Sequence, residues 1–241
     1  LMNNSIQMNN TILSNFKNML STEQGKDIPA FANGFLLFFT VLTVFVVPLF
    51  PLEYLNLLFS ISISGIFFFA VLSLKNCIKN LLGVSVFLTI GIWIAFFSDS
   101  DAVRLVYRIF NFLFFFFLVG NLIKRVSSTA TVSIRVIVDA ITAYLLLGFA
   151  LSLIVTIVSN RIPGAYNVSL VVDLEKGVLE PIQDNVYYTF MTFTTTGYGD
   201  ITPVHPVSRS LSMFISVIGQ LYIAVIISML VGKYASTLKE K

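Results

Sequence analysis

Six apolar runs constrain this chain more than any other feature of its sequence. They extend over residues 31–50, 52–74, 81–97, 102–123, 134–158 and 207–230. A helix rising 1.5 Å per residue needs roughly 20 residues to cross a hydrocarbon core about 30 Å thick, and the runs are of that length. Polar and apolar residues do not alternate along them, which argues against an outer-membrane barrel. Only 11% of the 241 residues are charged and 56% are hydrophobic, whereas a soluble domain carries about a quarter charged. The expected fold is therefore all-α and transmembrane, with six membrane-spanning helices.

The turns between the runs orient them. With six crossings, Lys75, Lys79, Lys124, Arg125, Arg135, Lys233, Lys239 and Lys241 fall on one side, and Glu53, Asp99 and Asp101 on the other with Arg161, Lys176 and Arg209. Lys and Arg accumulate in cytoplasmic loops. Both termini are accordingly expected in the cytoplasm, residues 159–206 outside, and the chain in the plasma membrane among its lipids. Residues 1–28 form a polar, Asn-rich segment in which Ile12, Leu13, Phe16, Met19 and Leu20 share one helical stripe, as in a helix lying at the membrane surface. A partly ordered tail is the alternative. Residues 29–126 make a peripheral four-helix part, and residues 127–241 the remainder.

Several classes are disfavoured. A net charge of +3, thinly scattered, offers no nucleic-acid surface. The single cysteine, Cys77, excludes a disulfide within the chain and any multi-cysteine metal site. No nucleophile beside a base, catalytic carboxylate pair or metal cluster appears, so neither an enzyme nor a cofactor is expected. His205 is the only histidine; it is either a plain loop residue or a pH-sensitive group beside the next motif.

Between the last two runs lies a short apolar stretch, Val186 to Phe193, too short to cross, with Asp184 placed to cap its start. It ends at Thr194-Thr195-Thr196-Gly197-Tyr198-Gly199-Asp200. A short helix followed by irregular backbone is the form of a re-entrant segment, tolerated at membrane depth only where protein buries it or a water-filled cavity adjoins it. Gly197 and Gly199 open backbone conformations closed to other residues, so successive carbonyls can face one way. Carbonyls of Thr196, Gly197 and Tyr198, with the carbonyl and hydroxyl of Thr195, would then stack as oxygen cages for a dehydrated cation. An ordinary Gly-x-Gly turn is the plain alternative. A dinucleotide site would need a strand and α/β surroundings that are absent.

Residues 195–200, followed by Ile201-Thr202-Pro203, resemble the filter of the potassium-channel superfamily with six spans and one pore loop per subunit. The resemblance is specific over residues 184–203, reasonable over about 134–234, and over 30–125 rests only on the number and polarity of the spans. It implies a homotetramer, because this chain holds one copy of the motif. It also implies a voltage-sensor-like peripheral part and a pore domain of outer helix, turret, pore helix, filter and inner helix. Potassium ions would be coordinated by Thr195, Thr196, Gly197 and Tyr198, with Gly199 completing the filter. Tyr198 would pack behind it, Tyr187 would hydrogen-bond Asp200, and Tyr188 would support the filter or simply pack near the interface. Thr196 departs from the usual Val or Ile, and its hydroxyl needs a partner. Gly219 is either a gating hinge or a point of close packing against the pore helix. Ser216, Gln220 and Ser228 are expected to face the central cavity, unless Gln220 bonds a neighbouring helix.

The expected function is passive, potassium-selective conduction. The fourth run carries only Arg104 and Arg108, near one end, and steep voltage dependence needs several gating charges per subunit; strong voltage gating is not expected. Arg135 and Asp139, four apart, are expected to pair. A less selective monovalent cation channel, a transporter subunit and a non-conducting channel-like receptor or adaptor are the alternatives. Few residues follow the last run, so gating would be intrinsic to the membrane part or depend on a cytoplasmic regulatory domain or ligand outside these residues.

Overall fold

A computed structural model of the protein describes residues 30–74, 78–98, 100–129, 131–168 and 182–239. The described elements are α1 (Ala30–Val41), α2 (Leu52–Ser73), α3 (Ile78–Phe97), α4 (Asp101–Ser128), α5 (Ile134–Arg161), β1 (Tyr166–Val168), α6 (Ile182–Phe193), β2 (Ile201–Pro203) and α7 (Pro206–Lys239). Among the described residues five helices are long and apolar enough to cross a membrane, within α1 with its extension, α2, α4, α5 and α7; the apolar part of α3, Leu82–Phe97, is shorter. The protein is thus an all-α, multi-span membrane protein apart from one small ribbon. The expected surface stripe of residues 1–28 and most of the turret lie outside the described residues.

The first span does not end as a plain α-helix. It widens to a π-turn over Leu42–Val46 and tightens to a 3-10 turn over Val47–Leu49. Pro48 causes this, because it has no N–H to return to the carbonyl four residues earlier and its ring crowds that carbonyl. Thr40 and Thr43 donate to the carbonyls of Leu36 and Phe39, both at 2.7 Å, a bond that further bends a helix. Pro51 then precedes α2 in an extended conformation, φ −57° and ψ 150°.

Helix α5 is the post around which the others assemble: 72% of its apolar stretch is buried, against 17% for α7. Phe149 of α5 lies at the junction, its ring 5.5 Å from Phe115 of α4 and 6.4 Å from Phe59 of α2. All three side chains are buried.

Asp139 is engaged well beyond its own helix. Its carboxylate is 3% exposed where α1, α2, α4 and α5 meet. Arg125 of α4 donates to it at 2.5 Å and Asn33 of α1 at 3.0 Å. Arg125 also donates to the carbonyl of Ser73 at the end of α2, and Ser73 donates to Asn33 at 2.6 Å. Removing one partner of such a pair strands the other charge in a poor solvent. Asp139→Ala is expected to cost about 3–5 kcal/mol, read as a lowered thermal midpoint in detergent, while replacing Arg125 and Asp139 together by apolar residues costs much less.

At the same end, Lys233 of α7 donates to the carbonyls of Val126 and Ser127, at 2.5 and 2.8 Å, capping the end of α4. At the opposite end, β1 and β2 pair antiparallel, Tyr166 against Pro203 and Val168 against Ile201. Val204 donates its N–H to the Ala165 carbonyl at 2.9 Å, and the Ser208 hydroxyl reaches the same oxygen at 2.6 Å. The ribbon joins the chain leaving α5 to the chain entering α7.

Candidate functional site

Helix α6 buries Val186, Tyr188, Thr189, Phe190 and Phe193. It starts at Ile182, so Asp184 lies in the first turn rather than capping the end as expected; a carboxylate there still faces the positive end of the helix dipole. After Phe193 the backbone stops climbing. Thr196 and Gly197 both turn their N–H groups back to the Met191 carbonyl, at 2.9 and 3.0 Å.

From this point φ changes sign at every residue. It is positive at Thr195 (59°), Gly197 (56°) and Gly199 (81°), and not at Thr194, Thr196, Tyr198 or Asp200. Alternating handedness brings successive N–H groups to one side of a chain, as in anion-binding nests; the carbonyls then gather on the other. The two glycines meet this requirement without strain. Thr195 does not, since a β-branched residue at positive φ is a genuine outlier costing on the order of 1–3 kcal/mol. Three bonds hold it there: Thr195 N–H to Thr192 O at 3.0 Å, its hydroxyl to Thr194 O at 2.7 Å, and Gln220 Nε2 of α7 to that hydroxyl at 3.0 Å.

The neighbouring side chains are tied down as well. The Thr196 hydroxyl finds a partner in Thr194 Oγ1 at 2.9 Å, and Thr194 donates to the Phe190 carbonyl at 2.7 Å. Tyr187 donates to Asp200 Oδ2 at 2.6 Å, while Asp200 Oδ1 accepts from the N–H of Ile201 at 3.0 Å. One carboxylate thus links α6, the loop's exit and β2. Tyr188 turns away from the loop: its hydroxyl meets that of Ser212 on α7, and its ring lies 4.9 Å from Tyr166 on β1.

Residues 167–235 match the model of an ion-channel family. The match takes in α6, the loop and most of α7, less than a third of the chain. Potassium channel K1 of Plasmodium berghei (strain Anka) is 47% identical over 45 residues, which cover 19% of this chain and 2% of that protein. The chain therefore spans a very small part of that relative's length. The matching region is cation-channel-like, and the family matched is one of channels rather than of enzymes. Among the described residues no group of three or more His, Cys, Asp and Glu could hold a metal ion.

In the channel-like region, α7 crosses the end of α6 at Gly219. A Cβ at that position would lie 2.0 Å from the Phe193 carbonyl oxygen, so close packing by itself accounts for the glycine. His205 accepts the N–H of Val207 on Nδ1 at 3.2 Å, and its carbonyl accepts from Arg209 at 3.0 Å. It caps the start of α7, a structural role beside Pro206 at the first helical position. Tyr198 is 72% exposed; within one chain it does not pack behind the loop. Residues 194–199 are exposed, as are Met213, Phe214, Val217, Leu221 and Val225 of α7.

Two features of this site are not legible in the sequence. The third positive φ, at Thr195, carries no compositional signal because threonine disfavours it. The other is the bond from the Gln220 amide to the loop of its own chain, which is compatible with a side chain that also faces a cavity.

Proposed function

We propose that this chain is one of four identical subunits of a potassium-selective channel, conducting K+ passively along an axis lined by Thr195, Thr196, Gly197, Tyr198 and Gly199. The observation that carries the reading is the alternation of φ through residues 195–199 at the end of a short helix. It suits a row of carbonyls aimed one way, which in a ring of four would replace the water around a bare cation. The C-terminal ends of four α6 helices would add partial negative charge below that ring.

The assembly follows from where the loop would sit. Irregular backbone at membrane depth cannot face lipid, yet residues 194–199 are exposed in a single chain. Neighbouring subunits would cover them, Tyr198 and the exposed side of α7. With α3 as a further crossing the subunit has six spans, both termini in the cytoplasm of a cell whose plasma membrane holds it. Residues 29–126 then form the peripheral domain and residues 127–241 the pore domain. Gating by strong voltage dependence is not part of the reading, since Arg104 is engaged with Asp101 at 2.7 Å and Arg108 is the only other arginine near that end of α4.

Purified protein reconstituted in vesicles tests this. A particle of four subunits that admits rubidium and excludes sodium is expected. Equal entry of sodium would favour the less selective cation channel, and no flux under any condition a non-conducting receptor or adaptor. Within the same assay, Tyr187→Phe and Asp200→Asn each remove one partner of a charge-assisted bond worth about 1 kcal/mol or more. Each is expected to shorten the conducting lifetime, and the double variant to be no worse than Asp200→Asn alone, because the tyrosine change deletes only a contact the aspartate change has already weakened.

A further inference from the structure

At the loop end of the molecule a second site borders the channel-like region. A cavity of about 660 Å³ opens between α2, α3, α4 and α5 and reaches the start of α6 at Ile182. Its walls are of two kinds. One is apolar, with Phe59, Ile63, Ile92 and Ile157; the other presents Arg104, Arg108 and Arg161 with the amides of Asn56, Asn111 and Asn160. Among the described residues Asp101 is the only carboxylate in the lining, and it is already bonded to Arg104. Three guanidinium groups thus share a chamber with one engaged acid, an excess of positive charge beside hydrocarbon-like walls.

Two buried polar atoms stand in the same lining. The Tyr107 hydroxyl and the Asn111 side-chain carbonyl, a helical turn apart on α4, have no hydrogen-bond partner beyond a loose contact between their own two side chains, and Asn111 is 3% exposed. A buried polar group left unpaired costs on the order of 1–3 kcal/mol, so a ligand that offers an acceptor to one and a donor to the other is favoured. We propose that this cavity binds the head of an anionic phospholipid bearing hydroxyls. Its phosphate would lie against Arg108, Arg161 and the Tyr107 hydroxyl, a head hydroxyl would donate to Asn111, and the upper acyl carbons would follow the apolar wall. Arginine suits this role because its planar fork matches phosphate oxygens two at a time. The place suits it too, since the cavity lies at the ends of spanning helices, where headgroups are found. The proposal does not depend on ion conduction.

The test uses the full chain in detergent, with phosphatidylglycerol, phosphatidylcholine of identical acyl chains, and inorganic phosphate as probes. Phosphatidylglycerol is expected to raise the thermal midpoint and to stay attached in mass spectra of the intact protein, while the other two do neither. Arg108→Gln with Arg161→Gln should weaken phosphatidylglycerol binding about tenfold or more, given the loss of charge-assisted bonds; Arg135→Gln, at the far end of α5, should not. Should the double variant fail to fold, Tyr107→Phe, which removes one hydroxyl, is expected to weaken binding severalfold. Equal protection by phosphatidylcholine would reduce the cavity to an apolar groove, and equal protection by inorganic phosphate would make it a site for free anions. Either result, or full affinity in the arginine or tyrosine variants, overturns the proposal.

Discussion

Gly197→Ala is expected to abolish rubidium uptake while leaving the chain folded in the membrane. The cause is backbone conformation, not space: a Cβ at Gly197 meets nothing within 4 Å in its own chain, but φ there is 56°. An L-residue in the left-handed region costs roughly 1–2 kcal/mol, and in the proposed tetramer four copies of the strain converge on one ring, about 4–8 kcal/mol in all. The cheapest relief is rotation of the peptide, which turns a carbonyl away from the axis. Since every 1.36 kcal/mol is tenfold in rate, flux should fall at least about a hundredfold. Helical content and assembly should stay near those of the parent, because α6 and α7 do not depend on this φ. Normal flux in Gly197→Ala would show that the alternation through residues 195–199 has no part in conduction.

Gly219→Ala should do damage of a different kind. Its methyl group would stand 2.0 Å from the Phe193 carbonyl oxygen and 3.0 Å from the Phe193 carbonyl carbon, both backbone atoms that no side-chain rotation can clear. Either α7 moves off α6 or the end of α6 shifts and carries the loop with it. Overpacking of this kind costs about 1–3 kcal/mol and sometimes more, here at every copy of the α6–α7 crossing. A lower thermal midpoint is expected together with loss of flux and of discrimination between potassium and sodium. A hinge role for Gly219 predicts another result: unchanged stability and selectivity with slower opening, since alanine in mid-helix is favourable. Measuring the midpoint and the sodium permeability of one variant separates the two.

What could be read from the sequence followed from constraints that act locally. Hydrocarbon thickness sets the length of an apolar run, so α2, α5 and the start of α7 fall within a few residues of expectation. Pro48 stands near the end of the first run, but the π and 3-10 turns it produces are not legible there, because they depend on which carbonyls lose their donor. Gly197 and Gly199 were legible as positions of special conformation because few other residues tolerate positive φ. Thr195 was not, since the bonds that hold it come partly from Gln220, 25 residues on. Asp139 shows the same limit more sharply. A sequence suggests the neighbour four residues away but gives no sign of Arg125 and Asn33, which reach it from 14 and 106 residues away. The ribbon of β1 and β2, three residues in each strand, is too short for any alternation to announce it.

The most direct measurement of the central claim is the reversal potential of the reconstituted protein in a planar bilayer, with potassium on one side and sodium on the other. The account predicts a reversal potential that follows the potassium gradient and ignores changes in sodium. A reversal potential that moves as far with sodium as with potassium would contradict it, because a row of backbone carbonyls tuned to one bare cation would not be what the ions pass through.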